Sequence, residues 1–196
     1  MSPEATECCE PLDELKIVEP VDTGRDEVEN YIREGFFRTH RANIQSFMPI
    51  LLALHDDNGR VNAALGYRPG GGDRFFLERY LDQPVEVLIS RASGEVVRRS
   101  DIVEIGNLAC RNANRAAQLM WLLARHLMQR RYRWVVFTGT RAVRDILRIF
   151  PAAPIELSEA KEACAGHTGD AWGRYYRADP RVLAGFLPSA FHDAQS

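Results

Sequence analysis

Apolar positions repeat along this chain with two periods, and the switch between them outlines the elements. Residues 25–41 place Val28, Tyr31, Ile32, Gly35 and Phe36 on one side, which predicts a helix. Residues 48–54 then read as a strand, Asp56-Asp57-Asn58-Gly59 as a turn and 60–67 as the partner strand of a hairpin. Pro69-Gly70-Gly71-Gly72 breaks the chain again. Residues 75–81 predict a short helix stopped before Pro84, 85–90 a strand or a helix end, and 102–109 a strand. The clearest helix covers 114–130, with Leu119, Leu122, Leu123 and Leu127 on one face and Arg125, Gln129 and Arg130 opposite. Residues 134–137 are continuously apolar, as a buried parallel strand is, and 141–149 form a helix ended by Pro151. Towards the end, 158–164 read as a short helix, 166–169 as a loop, 172–176 as an aromatic cluster and 180–187 as a terminal helical turn.

The strand–helix–strand–helix run predicts an α/β chain with crossovers over a sheet. At 196 residues there is enough chain for one core. We expect an acidic leader over 1–22, a single domain over 23–190 and a short tail over 191–196.

Charge changes the picture because it is unevenly placed. The formal net charge is -2, yet residues 1–30 carry ten acidic side chains and residues 111–148 carry nine arginines against Asp145. Of the 25 basic residues, 23 are arginine, the cation suited to bidentate contacts with phosphate or carboxylate. The basic segment fits phosphate or an acidic protein, and equally a solvated helix face. Cys8 and Cys9 are adjacent, not a CxxC pair, which suits a reducing compartment. No apolar run has transmembrane length and no signal peptide is visible, so a cytoplasmic location is expected. The five histidines have no metal-ligand spacing. Nucleic-acid recognition has no supporting motif.

Two stretches carry candidate chemistry. On strand 102–109, Glu104 shares a face with Ile102 and Gly106, and a carboxylate buried there needs a partner. It reads either as a salt bridge to an arginine or as a general base and anchor for a substrate amine. The run 110–116, Cys-Arg-Asn-Ala-Asn-Arg-Ala, opens the long helix. Free amides at that start favour an anion, with Arg111 and Arg115 beside them, and Asn114 suits a sharp turn. The alternative is an ordinary cap flanked by two surface arginines. Tyr175 and Tyr176 read as proton donors to a leaving thiolate, or as aromatic cover for the core edge together with Trp172.

The runs at 66–68, 76–82, 101–109, 134–141 and 172–176 come in an order that resembles the thermostable hemolysin family. That family in turn resembles, at the level of fold, the acyl-homoserine-lactone synthases and the Gcn5-related N-acetyltransferases. The resemblance implies an acyl-CoA N-acyltransferase-like three-layer sandwich, a mixed sheet flanked by helices. It also implies transfer of an acyl group from coenzyme A or acyl carrier protein to a small-molecule amine, with no covalently bound cofactor. The pyrophosphate loop Gln/Arg-x-x-Gly-x-Gly/Ala matches Arg111 and Ala116, while Asn114 stands where the first glycine is expected. In the Glu-x-x-Arg-Phe pattern of the lactone synthases, Glu104 matches and Asn107 replaces the arginine. Arg68, just after the hairpin strand, is expected to orient substrate. A carrier protein, being acidic, suits the arginines of the long helix. Two other functions stand beside this one: a membrane-active hemolysin, and a non-catalytic protein-binding module. The oligomeric state is left open, with a homodimer as one option.

Overall fold

The structure, a computed structural model, describes residues 15–166 and 171–188. Cys8, Cys9, His167, Ser189, His192 and most of the predicted leader and tail lie outside the described residues.

Seven strands form one sheet in the order β1-β2-β3-β4-β5-β7-β6. They are β1 (Leu15–Val18), β2 (Ile50–His55), β3 (Val61–Pro69), β4 (Ile102–Cys110), β5 (Trp134–Gly139), β6 (Ile155–Glu159) and β7 (Arg181–Phe186). The helices are α1 (Arg25–His40), α2 (Val85–Ser93), α3 (Ala113–Gln129) and α4 (Arg141–Leu147). A 3-10 turn, Phe76–Tyr80, stands between β3 and α2. Among the described strands every pairing is antiparallel except β4 with β5.

One face of the sheet carries α1 and α2, the other α3 and α4. Val28 and Ile32 of α1 pack on Leu51, Ala64 and Ala109. Val85 and Ile89 of α2 pack with Ile102, Trp134 and Val136. On the opposite face Leu119, Leu123 and Leu127 of α3 cover Leu65, Val103 and Val135. Alternation along β4 produces this division: Ile102 and Glu104 point one way, Val103 and Ile105 the other.

Three expectations are corrected here. Residues 155–159 are a strand, β6, and only Glu162–Cys164 form a 3-10 turn. The tail segment is β7, whose pairing with both β5 and β6 leaves Val182, Leu183 and Ala184 buried, so its apolar run shows no alternation. Leu15–Val18, counted in the leader, is an edge strand on β2. The segment after Pro84, left open between strand and helix end, is helix α2.

Candidate active site

The two parallel strands at the centre of the sheet separate. Ile102–Ile105 of β4 pair with Trp134–Phe137 of β5, and beyond Ile105 the ladder stops while β4 continues to Cys110. A bulge on the other side of β4 bends it away. Ala64 pairs with Ala109 and Gly66 with Gly106, so three steps on β4 face two on β3. The extra residue is Asn107, left-handed at φ 57. Its side chain secures the bend: Oδ1 accepts the Met48 amide at 2.7 Å and Nδ2 donates to the Ser46 carbonyl at 3.3 Å. Gly106 makes room for this, because a Cβ there would meet the Met48 methyl carbon at 2.6 Å.

Glu104 lies just before the split, 2% exposed. The first turn of the 3-10 segment sits over it: Phe76 N–H donates to Oε2 at 3.0 Å and Leu77 N–H to Oε1 at 2.8 Å. Arg68, opposite Glu104 across the β3–β4 ladder, brings Nη1 to 4.0 Å from Oε2. Burial pushes the Glu104 carboxyl above the usual carboxylate range, against the opposing pull of the two amides and Arg68. The 3-10 segment is itself anchored by Glu78, which accepts from the Phe75 and Val85 amides and from Arg99. Arg99 also reaches Glu86 of α2. Glu104 thus stands within ion-pair distance of one arginine and also lines a cavity.

That cavity, about 260 Å³, passes through the split from one face of the sheet to the other. On the α1 side its wall is aromatic: Phe36, His40, Phe76, Tyr80, Trp172 and Tyr175. On the opposite side it is mainly aliphatic, from Met120, Leu123 and Ala124 of α3 to Val143 and Leu147 of α4, with Phe137 of β5 and Phe150 after α4. The aromatic wall is closed by a loop that returns to the end of α1. Asn43 and Ala171 form an isolated bridge, and Arg174 N–H donates to the His40 carbonyl at 2.6 Å. Gly173 allows this closure: at φ 56 it sits against the carbonyls of His40 and Arg41, where a Cβ would clash.

Of the two predicted tyrosines, Tyr175 lines the cavity and donates to the Thr138 carbonyl of β5 at 3.3 Å. Burial holds its hydroxyl well above the ordinary tyrosine value, so it keeps its proton. Tyr176 does not line the cavity; its hydroxyl meets that of Tyr80, which does, at 2.7 Å. The Trp172 indole N–H is buried without an acceptor among the described residues.

The predicted anion seat is narrower than the sequence suggested. Asn112, not Asn114, makes the turn and caps α3, its Oδ1 accepting the Arg115 amide at 3.0 Å. Asn114 lies inside the first helical turn, and the Ala116 amide already donates to the Asn112 carbonyl at 3.2 Å. The Arg115 side chain donates to Gln118 at 2.8 Å. The Ala113 and Asn114 amides remain without described partners. Arg111 faces a second, open bay with Arg38 of α1 and Arg60 of the hairpin, lined also by Tyr31 and Asp56. Among the described residues none of these three arginines forms an ion pair. The structure thus brings Arg68, Glu104, Asn107 and Tyr175 to one cavity and places Arg111, Asn114, Arg115 and Ala116 past the end of β4, beyond Leu108, the last β4 residue on the cavity.

Sequence reasoning missed His40, Tyr80 and the orphaned Trp172 donor, and also Arg38 and Arg60. None stands in a local motif; chain crossings assemble them. His40 carried one available signal, its place on the α1 stripe beside Phe36.

The split parallel pair within a seven-stranded mixed sheet, flanked by helices on both faces, defines an acyl-CoA N-acyltransferase-like fold. More particularly, the chain belongs to the thermostable hemolysin family, whose profile matches residues 18–191. Among solved structures, the acyl-homoserine-lactone synthase LasI superposes with a TM-score of 0.60 at 14% identity, covering 90% of each chain. FeeM, an N-acyl amino acid synthase from uncultured soil microbes, gives 0.60 at 12% identity over 89% of this chain and 95% of its own. A Lactobacillus plantarum protein assigned as an N-acetyltransferase gives 0.50 at 11% identity over 89% and 99%. At such identities the likeness is one of fold. A comparison with curated protein sequences found no match.

Proposed function

We propose that this protein transfers an acyl group from a thioester to an amine. The observation that carries the reading is the cavity through the split: an aliphatic half suited to an acyl chain joins an aromatic half that holds a buried carboxylate. The thioester carbonyl lies at the split, its chain directed towards Leu123 and Leu147. The amine enters beside Glu104, which takes a proton from it directly or through one water; burial raises the basicity of that carboxylate. The nitrogen then bonds to the carbonyl carbon and the carbon–sulfur bond breaks. Backbone N–H groups of the splayed part of β4 polarise the carbonyl oxygen. Tyr175 passes a proton to the departing sulfur and regains one from the acylated nitrogen, and Tyr176 acts only through Tyr80. Phosphates of the carrier lie at the far end of β4, near the Ala113 and Asn114 amides and Arg111. Coenzyme A and the phosphopantetheine of an acyl carrier protein share that chemistry. The solved acyl-homoserine-lactone and N-acyl amino acid synthases make such a reaction plausible for this fold.

The family's description as a hemolysin is compatible with this chemistry. No helix among the described residues is long and apolar enough to cross a membrane. An N-acyl product is an amphiphile, and such a product disturbs membranes without any insertion by the enzyme.

The test is release of free thiol from acyl-CoA and acyl-carrier-protein thioesters of graded chain length, with and without an amine. Amine-dependent release that Glu104→Gln abolishes supports the reading. No release with either carrier at any length rejects it.

A further inference from the structure

The cavity holds one pair of opposite charges, and that pair is incomplete. Among its described lining residues only Arg68 and Glu104 carry formal charge, since burial keeps His40 neutral by lowering its pKa. They face one another across the β3–β4 ladder, yet Nη1 and Oε2 stand 4.0 Å apart, beyond hydrogen-bond reach. The carboxylate is partly compensated already by the Phe76 and Leu77 amides. The guanidinium is not: among the described residues Arg68 donates no hydrogen bond, and its side chain is 33% exposed. A guanidinium offers five N–H donors in a planar fork matched to a carboxylate. A third of that side chain is open, so an arriving anion can reach the fork.

We infer that the acceptor is an α-amino acid with a large aromatic or apolar side chain. This deepens the acyl-transfer reading and rests on it. The acceptor's carboxylate takes the Arg68 fork, its amine lies beside Glu104, and its side chain lies against the wall that Phe36, Phe76, Trp172 and Tyr175 form by packing on one another. The spacing favours the α-isomer: amine and carboxylate on one carbon bridge two groups that stand this close. A distal amine, as on a lysine side chain, puts a chain of methylenes between them. The aromatic walls give flat surfaces for an apolar body, with ring centroids 5.8 Å apart for Phe76 and Trp172 and 5.3 Å for Trp172 and Tyr175. In the transfer, the ammonium gives one proton to Glu104, the nitrogen–carbon bond forms as the carbon–sulfur bond breaks, and the second proton of the nitrogen reaches the departing sulfur through Tyr175, so that a thiol leaves. The acceptor carboxylate stays on Arg68 throughout. Arg68 thus selects the substrate without taking part in bond exchange.

The experiment compares phenylalanine, phenethylamine, which lacks the carboxylate, and 3-phenylpropionate, which lacks the amine. Decanoyl-CoA and decanoyl-acyl carrier protein serve as donors. Phenylalanine is expected to be acylated with a KM at least about tenfold below that of phenethylamine, the scale of one charged hydrogen-bonded contact. 3-Phenylpropionate is expected to compete with phenylalanine and not with donor. Arg68→Gln should raise the phenylalanine KM at least about tenfold while leaving the donor KM and the phenethylamine KM in place. Arg68→Lys should restore part of the loss. Equal use of phenylalanine and phenethylamine, or an equal shift for both in Arg68→Gln, overturns the inference. If neither amine releases thiol while another amine or chain length does, the inference is overturned and acyl transfer stands; if no amine and no chain length releases thiol, acyl transfer itself fails, and calorimetric titration of phenylalanine into wild type and Arg68→Gln decides the Arg68 assignment. Binding weakened by the substitution supports it; absent or unchanged binding overturns it. Thermal melts of both variants check that the fold is kept.

Discussion

Asn107 accepts the backbone amide proton of Met48 at 2.7 Å, and through that bond the bend in β4 is tied to the start of β2. The residue also holds a left-handed backbone at φ 57, which asparagine tolerates better than most side chains. Asn107→Ala loses both the bond and the backbone tolerance, and we expect it to lower stability by about 2–3 kcal/mol in denaturant melts. Asn107→Gly keeps the backbone and loses only the two side-chain hydrogen bonds, so its cost should be smaller. Equal cost in the two variants means that the left-handed backbone contributes nothing.

The ceiling over Glu104 depends on Glu78 and Arg99, joined at 2.8 Å with the carboxylate nearly buried. Arg99→Ala leaves that charge unpaired and should cost about 3–5 kcal/mol. Burial raises the Glu78 pKa, but Arg99 and the Val85 and Phe75 amides outweigh it, so the folded value lies below the ordinary one. Its contribution is therefore complete above the ordinary glutamate pKa of about 4.3 and is lost as pH falls through the folded value. Melting temperature measured from pH 7 to pH 3 should fall in wild type, and the fall should be shallower in Glu78→Gln. Parallel curves contradict this.

Glu104 has the opposite shift. A general base raised by burial loses activity on the acid side at a pH above the ordinary glutamate value of about 4.3. The pH profile of kcat/KM should show that limb, and Glu104→Gln should lower kcat about 10²–10⁴-fold and remove the limb. An acid limb that survives the substitution assigns the proton transfer elsewhere.

Arg38, Arg60 and Arg111 stand round one open bay without ion pairs among the described residues. If the carrier's phosphates reach this end of β4, substituting each by alanine should raise the donor KM without changing kcat, and the penalty should shrink in high salt. The same loss for coenzyme A and carrier-protein thioesters indicates a contact with the shared phosphopantetheine phosphate. A loss confined to one carrier identifies its remaining surface. No change with either carrier places the phosphates away from the bay.

How much of this was legible in the sequence differs from element to element. The α1 and α3 periodicities marked helices whose buried stripes the structure reproduces in Val28 and Ile32 and in Leu119, Leu123 and Leu127. β7 was hidden because burial on both faces removes alternation, and β6 because an edge strand with Glu156 and Glu159 exposed looks polar. Glu104 was legible as a carboxylate on a buried strand. Its two amide donors were not, since Phe76 and Leu77 reach it from 28 and 27 residues away. The same holds for the aromatic wall, where His40 and Tyr175 come from opposite ends of the chain to stand with ring centroids 5.2 Å apart. The helix start misled by two residues: Asn112 and Asn114 are equally good caps by composition, and only the geometry selects Asn112.

The central claim is that the thioester sits in the split with its chain passing through the sheet. A photoreactive acyl-CoA and the matching acyl carrier protein, each with a diazirine near the chain end, test it by mapping adducts after irradiation. The account predicts adducts on peptides bearing Met120–Ala124 or Leu147–Pro154, suppressed by unlabelled donor. Adducts scattered over the outer surface of α1 and β1, or adducts that unlabelled donor does not suppress, contradict it.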